Sequence, residues 1–429
     1  MMPIESPDVA VVGAGPAGMA AAIRAHESGA RVLVLDDNPA AGGQIWRGGE
    51  RTQTGRQARQ WLNQFKSLAG FTINNCRVIA GESKPVKLLV ESAEGAREVT
   101  PRQLIIATGA REIFLPFPGW TLPGVMGVGG LQAMAKSGLP IAEKKIVVAG
   151  SGPLLLAVAA YLRGHGAHVK LIAEQAPRAN LIRFGMHLIR QPGKLAQAAQ
   201  LQISLLGTPY LQDCWITEAK GNDTVRSVSL RQGEKTWSED CDYVATAYGL
   251  YPNAELALVL GCQMSDTFVA VDEMQRTSIE DVFCAGECTG IGGVDLSIIE
   301  GEIAGYAAAG QAQLARGLFR KRSRAQVFAR NLNLAFALRK DLKNLPKGDT
   351  FVCRCEDVSF ARLQSMPRFR AAKLHTRCGM GPCQARVCGP AMEFLFGWRT
   401  ESVRPPLLPA RLGSLAGERQ TVEEALVPK

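Results

Sequence analysis

Five thiols crowd one stretch of this chain: Cys353 and Cys355 in VCRCED, then Cys378, Cys383 and Cys388 in RCGMGPCQARVC. Thiolates grouped in this way bind metals, and the local sequence suggests how. The lead into Cys353 and Cys355 is apolar and strand-like, and the two-residue period of a strand sends both side chains to one face. That makes half of a four-thiolate site. The other half must come from Cys378, Cys383 and Cys388, where Gly379, Gly381 and Pro382 bend the backbone around whatever is bound. A helix starting near Cys383 would carry Cys388 well around its axis, at about 100° per residue, so Cys383 belongs to the loop. Zinc, a [2Fe–2S] cluster and free thiols are all open readings at this point. C-x-C lies outside the spacing usual for zinc, and Arg354, Arg377 and Arg386 stand where they would offset an anionic iron–sulfur centre.

A second chemistry is written at the other end of the chain. Asp8 to Val12 is a short apolar strand that runs into Gly13, Gly15 and Gly18 and then into the alanine-rich helix Met19 to Ala25. Gly13 permits a sharp turn, Gly15 lets a pyrophosphate reach bare backbone, and Gly18 lets the helix lie close to the strand, with Pro16 and Ala17 completing the turn. The helix N-terminus then offers N–H groups to the phosphates. The second strand, Arg31 to Leu35, ends at Asp36, the separation expected of an acid that grips a ribose hydroxyl. Ala40 to Arg47 adds another glycine turn, with Gly43 and Gln44, of the sort that runs beside a flavin. Leu104 to Gly109, which ends in Thr108 and Gly109, and Asp281 to Gly305, which holds Gly286, Glu287 and Gly293, read as strand ends that open into small-residue turns. All of these are candidate cofactor contacts.

The same period recurs from Lys145: the strand IVVAG, the turn Gly150-Ser151-Gly152-Pro153, a helix over Leu154 to Arg163, and a strand His168 to Ala173 closed by Glu174. Leu155 stands where a third glycine would be, which narrows the room for a dinucleotide. Gly150, Gly152 and Glu174 are therefore candidates for NAD(P) or another adenine nucleotide, with a retained fold and no nicotinamide site as the alternative. Two nucleotide folds, one inserted in the other, explain this order. The expected division is an FAD-type domain over 1–117 and 271–312, an inserted domain over 118–270, a basic helical linker over 313–350, a thiol domain over 351–400 and a tail over 401–429.

Composition excludes several classes. Eleven clustered cysteines in 429 residues argue against a disulfide scaffold and for a reducing, cytoplasmic setting. The N-terminus lacks a cationic region ahead of its apolar run, and no stretch reads as a membrane span. Much of the net charge of +10 falls between Ala315 and Lys347, where cations face almost no acid and aromatics are not interleaved, so nucleic acid is not expected. An acidic protein partner or cofactor phosphates suit it better. Residues 40–47 and 113–190 contain no cysteine, so neither stretch holds a redox thiol pair, and Cys284 and Cys288 read as structural. The five histidines are dispersed, and neither GxSxG nor HExxH occurs.

With these motifs in order, the chain resembles the two-dinucleotide-domain flavoproteins related to glutathione reductase, an α/β fold class. That resemblance implies FAD, with Glu287 at the place of the usual aspartate of the third motif. The pattern C-R-C-E, then T-R-C-G-M-G-P-C-Q-x-R-x-C, resembles the bacterioferritin-associated ferredoxin-like [2Fe–2S] domain. More closely, it resembles the version fused to flavoprotein subunits of opine oxidases, D-hydroxyproline dehydrogenases and hydrogen cyanide synthase. The resemblance implies Cys353, Cys355, Cys383 and Cys388 as ligands and leaves Cys378 unassigned; Ala385 replaces the usual glycine, and the segment between Cys355 and Cys378 is short. It further implies an oxidoreductase subunit that relays electrons from C–N bond oxidation in a partner similar to D-amino-acid oxidase. The second implied partner is a small ferredoxin-like subunit. A free-standing NAD(P)H-dependent reductase and a non-catalytic scaffold with structural zinc are the alternatives.

Overall fold

A parallel sheet covered on both faces is built from uninterrupted apolar strands, and the runs VAVV at Val9–Val12 and VLVL at Val32–Leu35 are buried at every residue. The computed structural model describes residues 6–47, 55–189, 191–400 and 402–417, so part of the expected tail, residues 418–429, lies outside it. The chain divides into two compact units, one made of Met1–Arg111, Tyr251–Ala329 and Glu401–Lys429, the other of Glu112–Leu250 and Arg330–Thr400.

In the first unit the sheet order is Val282–Cys284, Gln103–Ile106, Val9–Val12, Val32–Leu35, Thr72–Ile73, all parallel. Val12 pairs with both Leu35 and Ile106, and Ile106 pairs with Cys284, so Gly13, Asp36, Ala107 and Ala285 leave the sheet along one edge. Strand order reverses between Val9–Val12 and Gln103–Ile106, the position at which open parallel sheets bind ligands. One face of the sheet carries the helices Pro16–Glu27 and Gly293–Ala308, which pack on each other. Their closeness has a specific cause: a Cβ on Gly301 would stand 2.1 Å from the Ala17 carbonyl oxygen, and one on Gly305 would stand 2.3 Å from that of Ala21. The other face packs Ala10, Val12, Leu33 and Leu35 against the antiparallel strands Arg77–Ser83, Val86–Ser92 and Gly95–Val99.

The second unit repeats the plan. Its parallel sheet runs Tyr210–Gln212, His168–Glu174, Lys145–Gly150, Tyr243–Ala247, Val125–Gly127. The helices Val128–Lys136 and Pro153–Gly164 share a core with one face, and the antiparallel strands Cys214–Gly221, Val225–Gln232 and Lys235–Asp240 share one with the other. A small thiol-rich core in the same unit gathers Val352, Cys353, Val358, Leu363, Phe369, Ala372, Cys378, Cys388 and Met392. The Trp120 indole N–H donates to the Phe351 carbonyl at 2.6 Å, tying this core to the nucleotide fold beside it.

Candidate functional site

The first turn is open. The helix Pro16–Glu27 begins after Gly15 with no side-chain cap and no acid in its first turn, leaving N–H groups without an internal partner. Gly18 is required there, because a Cβ would fall 1.8 Å from the Gly13 carbonyl oxygen. Asp36 is buried and accepts from the Ala14 amide at 3.2 Å and from the amide and side chain of Asn38 at 3.1 and 2.9 Å; burial raises its pKa. The Gly42 amide donates to the Ala14 carbonyl at 2.8 Å, which brings the turn of Gly43 and Gln44 against the first one. The Gln44 side-chain oxygen accepts from Arg47.

Two groups absent from the sequence reasoning brace the other turns. The Thr108 hydroxyl donates to the Asn253 carbonyl at 2.6 Å, and the Asn253 side chain returns a bond to the Thr108 carbonyl at 2.9 Å. Glu300, buried, accepts on one oxygen from the Gly286 amide and the Thr289 hydroxyl, each at 3.1 Å, and burial pushes its pKa up to about 7. Cys288 accepts from the Gly109 amide at 3.1 Å. The Cys284 thiol donates to Cys288 and holds its pKa down, while burial holds Cys284 up, so both thiols stitch turns together. Glu287 differs. It is half-buried, its pKa is raised by burial alone, and it makes no hydrogen bond or ion pair among the described residues. An uncapped helix N-terminus and an unpaired, half-buried carboxylate on neighbouring turns of one sheet edge fit a dinucleotide such as FAD. Gly293 opens the helix Gly293–Ala308 after that acid.

The second turn holds its acid in the same way and adds a serine hydroxyl. Glu174 is wholly buried and accepts from the Gly152 amide at 2.8 Å, the Ala176 amide at 2.8 Å and the Ser151 hydroxyl at 3.2 Å; burial pushes its pKa up to about 7. The acid at the strand end is thus held by the amides of its own turn beside Gly150, as Asp36 is, and Leu155 is packed in the core.

Among the thiols, Cys353, Cys378 and Cys388 are buried with sulfurs all within 4.8 Å of one another, whereas Cys355 is exposed and Cys383 half-buried. The strand Phe351–Cys353 stops before the period-two argument reaches Cys355, because the residues that follow turn; the two thiols of C-x-C therefore do not share a strand face. Cys388 opens the helix Cys388–Phe396, and Cys383 lies in the loop before it. Hydrogen bonds from the Cys378 and Cys388 thiols hold Cys353 down at about 2, and Cys378, next to that thiolate, is pushed up to about 12. Cys388 is raised by the same neighbours, and Cys355 by burial and Cys383. Of the expected arginines, Arg377 pairs with Glu356 at 2.7 Å and Arg354 lies 5.6 Å over the Trp120 ring. Three converging buried cysteines, with Cys355 and Cys383 close by in sequence, are a donor set that fits an iron–sulfur cluster.

The profile of the pyridine nucleotide-disulphide oxidoreductases matches residues 7–315. The chain belongs to that family. As a pyridine nucleotide-disulphide oxidoreductase it is an α/β flavoprotein oxidoreductase of two Rossmann-type domains, as the resemblance implied. It is 30% identical to hydrogen cyanide synthase subunit HcnB of Pseudomonas aeruginosa, over 88% of this chain and 90% of that one. It is also 30% identical to one subunit of the opine oxidase of Rhizobium meliloti, over 95% and 98%. Among solved structures, L-proline dehydrogenase from P. horikoshii superposes with a TM-score of 0.65 at 18% identity, covering 96% of this chain and 79% of that one. Thioredoxin reductase from T. acidophilum gives 0.56 at 20% identity, over 72% and 100%. No helix among the described residues is long and apolar enough to cross a membrane.

Proposed function

We propose that this chain is the FAD- and [2Fe–2S]-containing subunit of a heteromeric amino-acid or opine dehydrogenase. It relays electrons from oxidation of a C–N bond, carried out in a partner flavoprotein similar to D-amino-acid oxidase, to an external acceptor. A small ferredoxin-like subunit is one candidate acceptor. The observation that carries this reading is the convergence of Cys353, Cys378 and Cys388, with Cys355 and Cys383 nearby in sequence, in a chain alike over nearly its whole length to a subunit of opine oxidase. Eleven cysteines without a disulfide suit a cytoplasmic setting.

When bound, FAD would supply a two-electron carrier and the cluster a one-electron carrier. The chain's own residues do the holding. Gly15 and the N–H groups of the first helical turn would face the pyrophosphate, Asp36 secures the first turn, and Glu287 would offer its unpaired carboxylate. Cys353, Cys355, Cys383 and Cys388 are the ligands that the resemblance implies, and Cys378 stands inside the same group. Glu300 and Asn253 keep the turns in shape without touching the reaction.

The test is the purified protein's absorbance and metal content. Flavin bands, a broad iron–sulfur shoulder and about two irons per chain after anaerobic reconstitution support the reading. Zinc in place of iron, with no cluster spectrum, would establish the scaffold, and rapid bleaching of the flavin by NADH or NADPH without a partner would establish the free-standing reductase.

A further inference from the structure

The acid and glycine turn of a dinucleotide fold are where the adenosine ribose and the pyrophosphate settle. In the second fold those positions are already in contact with the chain itself. The single Ser151 hydroxyl proton is shared between Glu174 and the Phe336 carbonyl, which is the nearer acceptor at 2.9 Å. Gln175, wholly buried next to Glu174, donates to the Ser151 oxygen at 2.8 Å and to the Ala337 carbonyl at 3.1 Å, and its own oxygen accepts the Arg339 amide at 3.1 Å. The Phe336 ring meets Phe184 edge-on at 5.4 Å, on the helix that follows the acid. The Arg339 guanidinium lies 4.1 Å over Trp215 and pairs with Asp213. An aromatic ring and two hydrogen-bond-accepting oxygens, delivered side by side, stand in for the purine ring and the ribose oxygens of an adenosine. Glu174 is held by the Gly152 and Ala176 amides much as Asp36 is held by those of Ala14 and Asn38, so what sets the second fold apart is the segment that Ser151 and Gln175 bind.

We propose that residues 336–339 are a built-in occupant of the adenosine end of the second dinucleotide fold, closing it to pyridine nucleotides and making it the anchor of the thiol-bearing segment. The occupant cannot diffuse away, so a nucleotide meets an intramolecular competitor of high effective concentration. Its apparent affinity falls by the fraction of molecules in which the segment is unseated: seated in 99 of 100, the loss is about 100-fold. The anchoring follows from continuity. Leu342 and Leu345, just beyond the segment, enter the core of this fold, and the Trp120 bond to Phe351 fastens the start of the thiol core. The closure stands apart from the relay, since it concerns neither flavin nor iron.

Equilibrium dialysis of ADP-ribose and NAD+ against the full-length chain tests it, with Gln175→Ala/Phe336→Ala as the releasing variant and flavin content and far-UV circular dichroism as folding controls. The expected result is no saturable binding to the wild-type chain in the micromolar range and a gain of about tenfold or more in the variant. Equal binding to both, or to neither, overturns the proposal. Where the variant does not fold, hydrogen exchange on the wild-type chain decides: the Arg339 amide should be protected and unchanged by ADP-ribose, and its deprotection by the nucleotide refutes the closure.

Discussion

Glu300→Gln should make the first unit more stable at neutral and alkaline pH and remove part of its pH dependence. Both hydrogen bonds from Gly286 and Thr289 fall on a single Glu300 oxygen, so an amide oxygen can accept them unchanged. What the substitution removes is a buried charge. Burial, the largest effect, moves the carboxyl from 4.5 to about 7. Below pH 4.5 the folded and unfolded chains both hold the proton. Between 4.5 and 7 the folded chain holds it and the unfolded chain releases it, so stability falls as pH rises, and above 7 the whole penalty is present. A shift of this size corresponds to about 3 kcal/mol. For a unit of this size that is a rise in melting temperature on the order of 6–12 °C at pH 8, shrinking to about zero near pH 4. Urea titration by intrinsic fluorescence across that range measures it. Glu174 titrates near 7 as well and gives the same background in both proteins, so the difference between them isolates Glu300. A difference that stays constant with pH would refute the reasoning.

Other outcomes follow from single contacts. Cys383→Ser should abolish the iron–sulfur absorbance while flavin remains, and Cys378→Ser should retain iron, both read by iron assay and electron paramagnetic resonance. Gly301→Ala should lower the urea midpoint, because overpacking against the Ala17 carbonyl, about 1–3 kcal/mol, outweighs the roughly 1 kcal/mol an alanine gains inside a helix. Ala385→Gly should leave stability nearly unchanged: relief of a backbone at φ +64°, about 1–2 kcal/mol, is offset by loss of a buried methyl, about 0.8 kcal/mol, and of chain stiffness.

The local motifs were legible because their physics is local. Gly13, Gly15, Gly18 and Asp36 lie in one strand–turn–helix–strand stretch, and that stretch folds as its spacing requires. The glycine that the resemblance places at position 385 would also have a local cause, since Ala385 holds a left-handed backbone. Asn253 was not legible, because it reaches the Thr108 turn across the tertiary fold from a stretch with no signature of its own, whereas Glu300 lies within the third motif itself and was missed because a helical glutamate reads as a surface residue. The period-two argument for Cys353 and Cys355 failed for the opposite reason: it extended a strand past the turn that ends it. Nor could the bonds of Ser151 and Gln175 to Phe336 and Ala337 be read from the second motif, because those partners lie far along the chain.

Gly301 and Gly305 carry a genetic consequence. Each abuts a backbone oxygen of the facing helix, and a carbonyl cannot be trimmed by any change of side chain. A bulky substitution at either glycine therefore has no intragenic suppressor at position 17 or 21, and selections for second-site revertants should return glycine itself.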